Sequence, residues 1–169
     1  MISALANEFD GKIYGINLPE TAIDINTKND KTGFSCDKYF NAELENIIYT
    51  RKIFKKSHVV QYVNFFPCEW ENDHQYMSRL FDAAKKYNFG LGGPDTVPYK
   101  KNHMKNSYPF FHKNKDNIFI AIAVQAPDWT YINPKTKKNF TKIELHDFAT
   151  HYLGANIIFW DIEVPENPY

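Results

Sequence analysis

Apolar residues recur along this chain in two rhythms. Short runs in which most positions are apolar cover Lys12 to Leu18, Val59 to Phe66, Phe89 to Gly93, Ile118 to Val124 and Asn156 to Trp160. Such runs predict strands, and Ile118 to Val124, apolar on both faces, predicts a parallel strand covered on both sides. Between them apolar residues return every three or four positions. From Asp37 to Lys56 the residues Phe40, Leu44, Ile47, Ile48 and Phe54 largely share one helical face. From His74 to Tyr87 the stripe is Tyr76, Leu80, Phe81, Ala84 and Tyr87, with Asn72 or Asp73 placed to cap it. Thr141-Lys142-Ile143-Glu144 is a capping box that predicts a third helix ending at Gly154. Met1 to Phe9 reads as the last turns of a helix that leads into the first strand. Thr96 to Asn117 carries Pro98, Pro109 and the aromatics Tyr99, Tyr108, Phe110 and Phe111, and is expected to be a long functional loop.

Strands that alternate with helices at this spacing predict right-handed β–α–β crossovers and a parallel sheet. Two architectures accept five such strands, an open doubly wound sheet or part of a (β/α)8 (TIM) barrel. The first calls for a phosphate loop after an early strand, and neither GxGxxG nor GxxxxGK[ST] occurs. Gly90-Leu91-Gly92-Gly93 leads to Pro94-Asp95 and not to a helix. The expectation is therefore an α/β fold, a single domain over residues 1–169, forming a partial barrel. A five-strand arc cannot close, so its edges need a cover. A homodimer, a separate N-terminal half-barrel or a self-sealing rearrangement would each supply one.

Charge narrows the partners. Twenty basic and twenty acidic residues cancel, which removes the electrostatic case for nucleic acid or an anionic membrane. No apolar stretch is long enough to span a bilayer and no signal peptide is visible, so a cytoplasmic location is the default unless the natural chain starts earlier. Cys36 and Cys68 make no metal pattern. One bridge between them fits the count, but free thiols are the expectation. The six histidines show neither HxH nor HExxH spacing, so no metal is expected and they read as surface groups. No cofactor motif occurs either.

The chemistry sits where the strands end. Five segments close on a proline followed by a carboxylate: Leu18-Pro19-Glu20, Phe66-Pro67-Cys68-Glu69, Gly93-Pro94-Asp95, Ala126-Pro127-Asp128 and Val164-Pro165-Glu166. Proline has no N–H for a ladder and tends to stop a strand. In a parallel sheet all five acids then share the C-terminal rim, where barrel enzymes assemble their sites. A rim of acids disfavours an anionic ligand.

Four segments, Asn17-Leu18-Pro19-Glu20-Thr21, Tyr62-Val63-Asn64-Phe65 with Glu69-Trp70, Gly90 to Asp95, and Ile158-Phe159-Trp160 with Glu163, together resemble the rim motifs of uncharacterised (β/α)8-barrel proteins similar to glycoside hydrolases. The resemblance covers nearly the whole chain. It implies that the strands are the fourth to the eighth of a barrel whose first strands are absent. It also implies a carbohydrate ligand and a glycosidase-like site. The acid/base position after the fourth strand falls on Glu20, while the seventh strand ends in Gln125, with Asp128 three residues on. Asn17, Asn64 and Gln125 stand at strand ends as ligand-contacting positions.

Glycoside hydrolysis uses one carboxyl to protonate the leaving oxygen and a second as nucleophile or base. Glu20 is the first choice for the acid, with Glu163 and Glu69 as the other catalytic candidates. Glu69 and Glu71 flank Trp70, a grouping that suits a sugar subsite because an indole packs on a pyranose face while acids accept its hydroxyls. Asp95 follows two glycines that would let a ligand approach the backbone. Asp128 with Trp129 and Tyr131, and Trp160 with Asp161, form two more pairings of ring and acid. Each group has a plainer alternative, a buried ring beside a solvated turn or a carboxylate holding backbone N–H groups. A catalytically inactive remnant that binds glycan or serves in assembly is the rival reading.

Overall fold

The computed structural model describes residues 1–26, 29–70, 72–93 and 95–161. Five strands, β1 (Gly15–Leu18), β2 (His58–Tyr62), β3 (Gly90–Gly93), β4 (Ile120–Val124) and β5 (Ile157–Trp160), lie in the order β1-β2-β3-β4-β5, every neighbouring pair parallel. The sheet curls into a half-barrel. Helix α1 (Ile2–Phe9) precedes β1, and helices α2 (Cys36–Ile53), α3 (Tyr76–Tyr87), α4 (Lys101–Asn106), α5 (Tyr108–Asn114) and α6 (Lys142–Asp147) connect the strands. No described helix is long and apolar enough to cross a membrane.

Side-chain alternation divides the sheet. Val59, Leu91, Ile120 and Ile122 point outward into the main core with Phe40 and Ile47 of α2 and Leu80 and Phe81 of α3. These side chains are almost wholly out of water, and each such burial contributes about 1.5–3 kcal/mol. The expected stripe on α3 holds except at Tyr87, which is exposed. Gly15, Val60, Ala121 and Phe159 point inward, toward the concave side. Gly90 is required there: a β-carbon would stand 2.8 Å from the Phe119 carbonyl oxygen and 2.9 Å from its ring. With that space free, His58 of β2 and Phe119 stack at 4.0 Å across β3.

Polar anchors tie the ends of the elements. At the N-terminal side of the sheet, Asp10 accepts three successive backbone N–H groups, from Lys55, Lys56 and Ser57, each at 2.9 Å. Ser35 caps α2, and Thr141 and Glu144 form the capping box expected from their spacing. The helix after Thr141 continues past α6 through a wider turn, Phe148–Tyr152, to Gly154 at φ +80°.

Three expectations change. The segment from Thr96 to Asn117 is not an irregular loop but contains α4 and α5, because His103, Tyr108 and Phe111 turn into the core and Pro109 sits in the first turn of α5, where its missing N–H costs nothing. The cysteines are not free thiols: Cys36 at the start of α2 and Cys68 after β2 form a disulfide, their Cα atoms 6.4 Å apart. Their 32-residue separation in sequence hid a pairing that the β2–α3 loop makes by folding back over α2. Nor are all the histidines on the surface, since His103 is only 2% exposed.

α3 gains its cap from farther away than expected. Its first residue follows Gln75, left-handed at φ +63°, and neither Asn72 nor Asp73 bonds the helix amides. Glu69 does, accepting from Tyr76 N at 3.2 Å and Met77 N at 3.1 Å. Glu69→Ala is expected to cost about 1 kcal/mol, read as a drop of roughly 3 °C in a thermal melt. An unchanged melt would mean the cap adds nothing.

Candidate functional site

Four loops leave the C-terminal ends of β1 to β4 and bring Glu20, Asn64, Asp95 and Asp128 to one rim. Proline stops the first strand just before Glu20, as its lack of an N–H dictates. Asn64 follows β2 by two residues and is buried, its amide fitted over Gly93, where a β-carbon would meet the Asn64 amide oxygen at 3.0 Å. That amide lies between two acids. Its Nδ2 donates to Glu20 Oε1 at 2.7 Å and to Asp95 Oδ2 at 2.9 Å. Sharing one donor atom keeps Glu20 Oε1 and Asp95 Oδ2 no farther apart than those two bonds laid end to end, so the two carboxylates are neighbours.

The two acids live in opposite fields. Asp95 Oδ2 is 3.1 Å from Lys100 Nζ and 3.1 Å from His103 Nε2, both delivered by the start of α4. The His103 contact, against some burial and with the aid of Lys100, holds the Asp95 carboxyl below its ordinary value. Glu20 lies half-buried, and burial together with the nearby Asp95 charge pushes its carboxyl above the ordinary value, although the Asn64 amide opposes this. Tyr108 locks the loop beneath: its hydroxyl donates to the Asp95 carbonyl at 2.9 Å and accepts from Val97 N at 3.1 Å. The two neighbouring carboxyls are thus pushed apart in proton affinity, Glu20 upward and Asp95 downward, the kind of asymmetry that separates an acid from a base.

The other candidates fall into distinct places. Trp70 packs on Phe65 at 4.3 Å and meets His103 edge-on at 5.8 Å, so its ring adjoins the pair. With Phe65, Asn72 and His74 it lines an open cleft of about 470 Å³. Asn17 is exposed and donates to the Tyr62 hydroxyl at 3.2 Å on the concave side. Glu69 is turned to α3. Tyr131 is exposed, with Lys100 Nζ 5.8 Å from its ring centre. Gln125 is exposed and gives its backbone N–H to Asp128. Trp129 and Trp160 pack instead against Val97, Val124, Phe140 and Leu145, a small second core. Glu71 and Glu163 lie outside the described residues. Among the described residues no group of His, Cys, Asp and Glu is arranged to hold a metal ion.

Asp128 is the buried member of the rim. It is 1% exposed, and its Oδ2 accepts from Gln125 N at 2.8 Å and Thr96 N at 3.2 Å, stitching the end of β4 to the loop after β3. Burial pushes its carboxyl up to about 6 in spite of those two amides. A raised folded-state value means that the native state keeps this proton while the unfolded chain has already lost it, so stability falls as pH rises between about 4 and 6. The expected size is on the order of 2 kcal/mol. In urea melts the Asp128→Asn variant should gain that much on the parent between pH 4 and pH 7, and a constant gap would refute the assignment.

Lys100, His103, Tyr62 and Tyr108 did not stand out as site residues. The one available signal was the three-residue spacing of Lys100 and His103, which puts both on the same face of a short helix. The chain matches no family model, no curated protein and no solved structure.

Proposed function

We propose that this chain is a glycoside hydrolase-like protein that acts on a carbohydrate at the C-terminal rim of its half-barrel. The observation that carries the reading is the Glu20–Asn64–Asp95 group, two carboxyls on one amide with their proton affinities driven apart. Glu20 holds the proton that the leaving glycosidic oxygen takes. Asp95, ionised, attacks the anomeric carbon and forms a glycosyl ester as the C–O bond breaks. Water then cleaves that ester, giving its proton back to Glu20. Trp70 and Tyr131 offer ring faces next to the pair, and Asn64 offers an N–H to a sugar hydroxyl.

A second reading, a glycan-binding remnant without turnover, draws support from how fully the acids are engaged, since Asn64 bonds both and Lys100 neutralises Asp95. The two separate on a panel of nitrophenyl glycosides with matching oligosaccharides. The hydrolase reading expects nitrophenolate release from at least one glycoside, lost in Asp95→Asn. Calorimetric binding with no release in the parent supports the remnant, and neither binding nor release sinks both.

A further inference from the structure

The disulfide that joins α2 to the loop after β2 has two unlike ends. Cys68 is exposed and lines the open cleft of about 470 Å³ together with Phe65, Trp70 and His74, whereas Cys36 is half-buried as the first residue of α2. A reagent in the cleft therefore meets Cys68 before Cys36. Helix α2 runs 18 residues, and the partial positive charge at its start favours the anion that Cys36 becomes when the bridge opens. Asp37, in the same turn, opposes this and is itself engaged by the Tyr76 hydroxyl. An accessible sulfur to attack and a stabilised thiolate to leave are what make thiol–disulfide exchange fast.

Backbone geometry adds a second observation. Cys68 is held left-handed at φ +73°, a region that residues with a β-carbon seldom occupy. Next to it Glu69 is fixed by the two α3 amides, but Trp70 has no such anchor. Its Nε1 is buried with no hydrogen-bond partner among the described residues. The ring is held by packing on Phe65 and by its edge contact with His103, and His103 in turn touches Asp95.

We propose that the Cys36–Cys68 bridge is a thiol-exchange site, at which a small thiol entering the cleft takes Cys68 into a mixed disulfide and frees the Trp70 ring from the rim. The incoming thiolate bonds to the Cys68 sulfur as the S–S bond breaks. The electron pair of that bond leaves on Cys36, which picks up the proton that the thiol gave up. A second thiol then attacks the added sulfur, releasing Cys68 as a thiol and the small molecule as its own disulfide, so two electrons pass from two thiols to the bridge. Exchange here needs no sugar chemistry, so it holds or fails apart from the hydrolase reading.

The test treats the oxidised chain with reduced glutathione in native buffer, quenches with acid and maps the adduct by mass after proteolysis. Glutathione should appear on Cys68 in about tenfold excess over Cys36. Opening should outrun global unfolding, extrapolated from urea jumps, by about tenfold or more. Tryptophan fluorescence should shift to the red as the bridge opens, and Trp70→Phe should lose that shift while exchange continues. Cys36→Ser treated with glutathione disulfide should keep its adduct on Cys68, since no second cysteine is there to expel it; should that variant fail to fold, the kinetics of the parent decide. Opening no faster than unfolding would overturn the proposal and leave a bridge that only holds the fold together. An adduct chiefly on Cys36 would overturn the choice of attacked sulfur, and fluorescence that does not move on opening would overturn the release of Trp70.

Discussion

If the proposed glycosidase reading holds, Glu20→Gln is expected to lower glycoside hydrolysis by about 10²–10⁴-fold while leaving sugar binding within a few-fold of the parent, because the amide keeps the shape but has no acidic proton to give. The loss is largest for poor leaving groups, which need that proton, and smallest for nitrophenolate, which departs without it. The pH profile carries the more diagnostic result. On the proposed reading, activity is expected to rise as Asp95, whose carboxyl is lowered, ionises and to fall as Glu20, whose carboxyl is raised, deprotonates. The parent should therefore show a bell-shaped profile, and Glu20→Gln should lose the alkaline limb. Should the alkaline limb persist in the variant, another group is the acid, and Glu163 becomes the next to replace.

Opening the Cys36–Cys68 bridge should lower the unfolding free energy by about 3–4 kcal/mol, since the bond closes a long loop and removes that freedom from the unfolded chain. The same bridge joins the start of α2 to the loop that carries Glu69 and Trp70. Reduction should thus lower the melting temperature by roughly 10 °C and loosen the packing of Trp70 on Phe65 before global unfolding. Melts with and without a phosphine reductant, beside a Cys36→Ser/Cys68→Ser double variant, measure this. Identical melts, with two thiols free to alkylate in the untreated protein, would remove the bridge from the account.

Much of the fold was legible in the sequence because it rests on local patterns. The both-face apolar run of β4, the Phe40 stripe, the Leu80 stripe apart from Tyr87, the Thr141 capping box and Pro19 at the end of β1 each act through neighbouring residues, and each took the expected form. Of the site, Glu20, Asn64 and Asp95 were named from their positions at strand ends. Their union on a single amide was not visible, because it depends on β1, β2 and β3 standing side by side and on Gly93 leaving room for the Asn64 side chain. Glu69 shows the opposite case, a rim acid that the structure turns to a helix end seven and eight residues farther on.

Alternation of strand and helix by itself determined a parallel α/β chain with Glu20, Asp95 and Asp128 at strand ends on one rim, since periodicity is a property of the chain read in order. Only the tertiary structure decided which acids meet, that His103 and Lys100 lower the Asp95 carboxyl, that Asp128 is sealed at the end of β4, and that Cys36 reaches Cys68. Those outcomes are set by distances between residues far apart in sequence. Burial and Coulomb forces act on those distances, and no local pattern records them.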